Sequence, residues 1–292
     1  MLHELYMLSR SVTAQFLLFL PYWVSGLLAG SLVSVYLSER ITAKMTRLNS
    51  GTGKRSLIPI CMASALGIVS PLCMHGTVPV IAALGHKHVP QHQLAAFMVG
   101  SVLLNPNLFL LGFALGPEIA LVRLLLAFIC GSLAGAFALI FFKHRPLFDF
   151  SRFAPTGKEK KTFLRDLFKA IRVTTPYFLF GIVLTTLFYR YMPAEWITGM
   201  FGARRGLGVL FAASMSVPLY ACGGGVIPLI RAWLFAGMNP GDALAFMIAG
   251  PATKINNLSA VKMILGVRHF LLYLAYCAGF AMIAGLLAGL VL

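Results

Sequence analysis

Acidic residues are scarce. The 292-residue chain has eight: Glu4, Glu39, Glu118, Asp149, Glu159, Asp166, Glu195 and Asp242. None reads as part of an apolar run. An intramembrane cation pump depends on buried carboxylates, so the sequence argues against one. Charge of either sign is thin: 11% of residues are charged and 59% hydrophobic, where a soluble domain carries about 25% charged residues. A deficit this deep selects lipid as the solvent. The alternating segments of ~10 residues that mark an outer-membrane barrel are missing, as are a Walker A sequence, a dinucleotide fingerprint and a metalloprotease helix. The five cysteines (Cys61, Cys73, Cys130, Cys222 and Cys277) all lie in apolar runs, which does not suit a secreted disulfide framework. Cys73 and His75 form a Cys-x-His pair, but no further Cys/His cluster completes a metal site. No metal, cofactor or catalytic role is therefore expected.

What the chain does have is long apolar runs. Phe16–Leu37, Leu57–Leu84, Leu94–Gly116 and Phe270–Leu292 carry no Asp, Glu, Lys or Arg, and a crossing helix needs about 20 apolar residues. The N-terminal run follows Glu4 and Arg10 without a small-residue cleavage site, so it reads as a retained span. The expected fold is an all-α polytopic membrane protein in a bacterial cytoplasmic (inner) membrane.

The net charge of +16 is concentrated in two places: Arg40, Lys44, Arg47, Lys54 and Arg55, then nine Lys or Arg within Lys143–Arg172. Basic clusters beside spans mark cytoplasmic loops, here 38–56 and 143–172. They suit anionic lipid head groups as partners, and no nucleic acid is expected. The second stretch divides the chain into a first membrane repeat (1–142), a basic linker (143–172) and a second repeat (173–292). Within the linker, Phe163, Leu164, Leu167, Phe168 and Ile171 share one helical face, opposite Lys161, Arg165, Lys169 and Arg172. A helix at the cytoplasmic interface and a solvated linker helix both fit.

The two halves resemble each other. A shift of 149 residues places Cys73 on Cys222, Gly76 on Gly225, Pro79 on Pro228, Ile81 on Ile230 and Ala83 on Ala232. Without a gap it also places Ala96-Phe97-Met98 on Ala245-Phe246-Met247 and Asn107 on Asn256. Internal repeats are a signature of secondary transporters. If both basic loops are cytoplasmic, an even number of crossings separates them. Leu94–Gly116 and Ile119–Phe142 supply two, and Leu57–Leu84 is too long for one straight span and too short for two. A broken or re-entrant pair there gives five segments per half and about ten in all. An odd repeat in series is inverted relative to its copy.

The breaks carry the candidate chemistry. The first motif runs Ser70-Pro71-Leu72-Cys73-Met74-His75-Gly76-Thr77-Val78-Pro79. The second runs Pro218-Leu219-Tyr220-Ala221-Cys222-Gly223-Gly224-Gly225-Val226-Ile227-Pro228. Irregular backbone at membrane depth survives only inside protein or beside a cavity. Pro79 and Pro228 suit the first turn of a following half-helix, whose free amides and positive end favour an anion, a lone pair or a thiolate. Close helix packing by the glycines, with the cysteines as small core residues, is the other reading. The downstream elements, Gly100-Ser101 to Asn105-Pro106-Asn107 and Gly250-Pro251-Ala252-Thr253-Lys254-Ile255-Asn256, break again. Lys254 is either a functional intramembrane charge or a snorkelling one. His75 is either a proton carrier or a structural histidine. The candidate solute-binding residues are Cys73, His75, Gly76, Asn105, Asn107, Cys222, Gly223, Gly224, Gly225, Thr253, Lys254 and Asn256. Pro71, Pro79, Pro218, Pro228 and Pro251 are the candidate half-helix breaks.

At these motifs the chain resembles the predicted-permease family of arsenical-efflux (ArsP) type. The match runs through Cys73 to Pro79, Ala96-Phe97-Met98 with Asn105-Pro106-Asn107, Cys222 to Pro228, and Ala245-Phe246-Met247 to Thr253, over about residues 57–265. The resemblance implies a permease exporting trivalent organoarsenicals, with Cys73 and Cys222 as soft ligands. Met74-His75 after Cys73 departs from the cysteine-rich pattern of that family. The expectation is a small soft or anionic solute moved by alternating access between the repeats. A membrane-embedded thiol enzyme or redox protein using Cys73 and His75, and a lipid or lipid-phosphate translocase, are the alternatives.

Overall fold

The computed structural model describes residues 57–142, 146–150, 205–220 and 223–291, apart from 71, 73, 87 and 236, with isolated helical positions within 8–28 and 163–186. The described residues are helical, with no strand among them. In hydrocarbon each backbone donor must be satisfied within its own segment, and these apolar runs respond accordingly. In chain order the helices are α1 (Leu57–Val69), α2 (Met74–His86), α3 (Gln91–Leu103), α4 (Pro106–Gly112) and α5 (Pro117–Phe141), then α6 (Arg205–Leu219), α7 (Gly223–Phe235), α8 (Pro240–Thr253) and α9 (Ile255–Val291). A 3-10 turn, Phe113–Leu115, follows α4. The basic loop 38–56 and most of 143–172 lie outside the described residues.

Among the described residues two segments are long and apolar enough to cross a membrane alone, α5 and Ile264–Val291 within α9. A third span is possible if α3 and Leu108–Leu115 count as one, bent by 46°. The others are short: α1 and α2 have 13 residues each, about 20 Å at ~1.5 Å per residue, against a core of about 30 Å.

The 149-residue spacing recurs in the element boundaries. It carries α2 onto α7 at both ends, the start of α3 onto that of α8, and the start of α4 onto that of α9. It carries Pro117, where α5 begins, onto Gly266, where α9 is interrupted at φ 71°. Even the turn after each half-helix matches. His88 and Gly237 both have positive φ, 59° and 97°. Their amides donate to Gly85 and Leu234. The next amides, of Val89 and Met238, donate to Leu84 and Trp233. A side chain in this left-handed conformation costs about 1–2 kcal/mol, and glycine avoids that cost. His88→Gly is therefore expected to stabilise the protein by about 1 kcal/mol, read as a higher unfolding midpoint in detergent. An unchanged or lower midpoint would count against this turn.

Packing repeats too. In the first half α1, α3 and α5 pack on one another; in the second, α6, α8 and α9 do. Small residues allow the approach, as expected where lipid supplies no hydrophobic drive between helices. A Cβ on Gly67 would stand 2.5 Å from the Phe97 carbonyl oxygen, and one on Gly100 2.7 Å from that of Ser64. In the second half a Cβ on Gly241 would meet the backbone of Gly285 and Gly289.

The cores are shared between halves. Ile119 belongs to the cluster built on Trp233, Phe246 and Leu244, with Leu111, Leu115 and Val122 packed against it. Val261, Ile264 and Cys277 in turn belong to the cluster built on Ile60, Phe97 and Leu103. The half-helices follow this exchange: α2 packs against α9, and α7 against α4 and its 3-10 turn.

Candidate functional site

The two half-helices start within the two motifs. α2 opens at Met74, so His75, Gly76 and Thr77 form its first turn; α7 opens at Gly223, so the three glycines form its first turn. Pro79 and Pro228 are the sixth residues of these helices, not in the first turn as their spacing suggests. Proline there leaves the carbonyl four residues back without a helical donor, which is His75 in α2 and Gly224 in α7. Pro71, Cys73 and Cys222 lie outside the described residues.

In the first half the motifs are joined directly. Thr77, fully buried in the first turn of α2, has its hydroxyl 3.1 Å from that of Ser101 in the last turn of α3. Ser101 also donates to the Met98 carbonyl at 3.1 Å. The matching positions in the second half are Val226 and Gly250. There the Tyr220 ring takes the place of the hydroxyl pair, lying where a Cβ on Gly250 would go.

The second break of each half is a hinge between helices. The Asn105 side chain caps α4, accepting from the Leu108 amide at 2.8 Å. Lys254, its repeat equivalent, is half-buried at the junction of α8 and α9, its amide donating to the Gly250 carbonyl at 2.9 Å. α8 ends at Thr253, so Lys254 is its C-terminal cap residue. Thr253 is buried and donates to the Ala249 carbonyl at 2.7 Å, satisfying the backbone one turn back. Pro251 lies inside α8 and Pro218 in the last turn of α6. Asn107 and Asn256 are the second residues of α4 and α9. The cross-packing therefore sets the helix of the second motif beside the Asn105–Asn107 helix, and the helix of the first beside the one that holds Asn256.

Two charges inside the bundle escaped the sequence reading. Asp242 is 2% exposed and its Oδ2 has no partner among the described residues, although in sequence it lies outside the apolar runs. In sequence it looks like a first-turn acid at a helix start, but Asn239 already caps α8 through the Gly241 amide at 2.8 Å. Its counterpart is Gln93, 3% exposed. Arg123, likewise 2% exposed, lies within α5. Its Nη2 donates to the Tyr220 hydroxyl at 3.4 Å and the Met247 carbonyl at 3.5 Å. The signal for it was present: a charge at the fifth residue of the apolar run Ile119–Phe142. Among the described residues no group of three His, Cys, Asp or Glu side chains could hold a metal ion.

Comparison with known proteins adds the family. A UPF0718 protein of Methanocaldococcus jannaschii is 26% identical over 135 residues, 46% of this chain and 37% of that protein. YcgR, a UPF0718 protein of Bacillus subtilis, is 29% identical over 130 residues, 44% of each chain. The matches thus span less than half the length of these curated relatives. No solved structure matches the chain. A family model described as a predicted permease, of ArsP type, matches residues 1–290, so the chain belongs to the ArsP-type predicted permease family.

Proposed function

We propose that the chain is a multi-pass permease of the cytoplasmic membrane. It moves a small soft or anionic solute by alternating access, at a site between the openings of α2 and α7, and trivalent organoarsenicals are the leading substrates. The two repeats, in this reading, are inverted and hold about ten membrane segments. It acts as a transporter and not as an enzyme. One observation carries most of the weight: each motif half-helix packs on the hinge helix of the opposite half. Relative movement of the halves would then open or close both motifs together, as transport at a repeat interface requires. Family membership supports the permease class.

The thiols are the soft ligands in this reading. A cysteine just before a helix N-terminus has its thiolate favoured, and Cys73 and Cys222 immediately precede Met74 and Gly223. The test compares growth of cells with and without the protein across trivalent organoarsenicals, metals and oxyanions, then repeats it with Cys73→Ala/Cys222→Ala. Protection against methylarsenite in wild type, lost in the double variant, is expected. Protection that persists undiminished in the double variant would remove the soft-ligand site, and no phenotype with any trivalent organoarsenical would remove the leading substrate.

A further inference from the structure

Arg123 is poorly paired for a structural cation. Nη2 makes both of its hydrogen bonds, each near the outer limit of length. Nε and Nη1 are enclosed and have no partner among the described residues. A guanidinium has five N–H donors, so most of its capacity is unused. Such a charge is costly to bury unless it is fully paired. The equivalent position in the other half is Leu272, which is exposed, so a buried cation is particular to the first half.

Its position is informative. Tyr220, which it touches, is the residue after α6 and lies just ahead of the glycine turn that opens α7. Met247 belongs to α8. Arg123 therefore reaches from the first half to the threshold of the second motif, where helix amides and dipole also favour negative charge.

We infer that Arg123 is the anion-recognition residue of the inter-repeat site. Its ligand is a small oxyanion (a carboxylate, phosphonate, arsonate or phosphate group) whose oxygens accept from Nε and Nη1 once the halves part. The inference rests on the transport-site reading above and specifies its anionic solutes, leaving the soft, uncharged arsenicals to the thiols. A soluble oxyanion and a lipid phosphate share this chemistry, and the experiment separates them.

The full chain is placed in nanodiscs of zwitterionic lipid, and its thermal midpoint is measured against acetate, phosphate and methylphosphonate at constant ionic strength. A second arm replaces the soluble anions with phosphatidylglycerol in the disc. At least one oxyanion is expected to protect wild type saturably. Arg123→Lys should bind it roughly ten- to a hundredfold more weakly, the worth of a charge-assisted hydrogen bond. Arg123→Met should show no protection, while its midpoint without ligand equals or exceeds that of wild type, because an unpaired buried charge is gone. Protection by phosphatidylglycerol alone, lost in Arg123→Met, makes lipid phosphate the ligand and upholds the inference. The inference is overturned if nothing protects wild type or if protection survives Arg123→Met. It is also overturned if Arg123→Met fails to fold or melts lower, since the residue is then structural. None of these readouts involves transport, so they stand or fall separately from the cell-growth test of the permease.

Discussion

Gly241→Val is expected to leave little folded protein in the membrane. Gly241 lies in the first turn of α8, against α9. A Cβ there would stand 2.6 Å from the Gly289 amide nitrogen and 2.7 Å from its Cα, and would also overlap the Gly285 carbonyl oxygen. All of these are backbone atoms, so no rotamer change relieves the overlap and the two helices must move apart. The seam is small on both sides, since a Cβ on Gly285 would stand 2.7 Å from that of Ala245 and 2.9 Å from the Gly241 carbonyl oxygen. Overpacking a tight core costs about 1–3 kcal/mol and sometimes more, and here the clash is with a whole helix. Out of a total stability of about 5–15 kcal/mol that is a severe loss. Gly279 is the control. Nothing lies within 4 Å of a Cβ there, and Gly279→Ala should gain about 1 kcal/mol of helix propensity. Thermal unfolding and the folded yield of both variants decide the matter. A Gly241→Val protein as stable as wild type would mean that α8 and α9 do not meet along this seam.

Gly208→Ala should cost about 2 kcal/mol, and Asp242→Ala in the same chain should recover most of it. A Cβ on Gly208 would fall on the Asp242 carboxylate, with Cγ at 3.0 Å and Oδ1 at 3.1 Å. Unlike a surface carboxylate, this one cannot swing into solvent, because Asp242 is buried against α6. Truncating the aspartate removes the obstacle and a poorly satisfied polar group together. The four proteins of the cycle, compared by unfolding midpoint, should show a coupling of roughly 1–3 kcal/mol. Additive costs would place the carboxylate elsewhere.

Much of the architecture was legible in the residues. The 149-residue shift that aligns Cys73 with Cys222 also aligns both ends of α2 with those of α7, and the His88 turn with the Gly237 turn. This is so because glycine, proline and asparagine constrain the backbone locally, so their spacing survives as geometry. Burial was harder to read. Asp242 behind Pro240-Gly241 has the appearance of an exposed first-turn acid, and only the approach of α6 through Gly208 encloses it. Arg123 follows Glu118 near the start of an apolar run, where a charge ordinarily marks an interface. It is the docking of α5 against α8 that buries it. Proline was misleading in a different way. Pro79 and Pro228 indicate a helix start, yet each helix already begins five residues earlier, at Met74 and Gly223.

The sharing of cores between halves bears on how the protein is made. α2 leaves the ribosome with its own α3 close behind, but its partner α9 begins only at Ile255. At about 5–20 residues per second, the wait is roughly ten to thirty seconds. During that interval the first half is incomplete: Ile119, Leu111 and Val122 have no Trp233 or Phe246 to cover them. Insertion and folding are thus separated in time, and the translocation machinery or surrounding lipid must shelter a half-built bundle until α9 has been made. Late residues such as Val261 and Cys277 then close the core begun by Ile60.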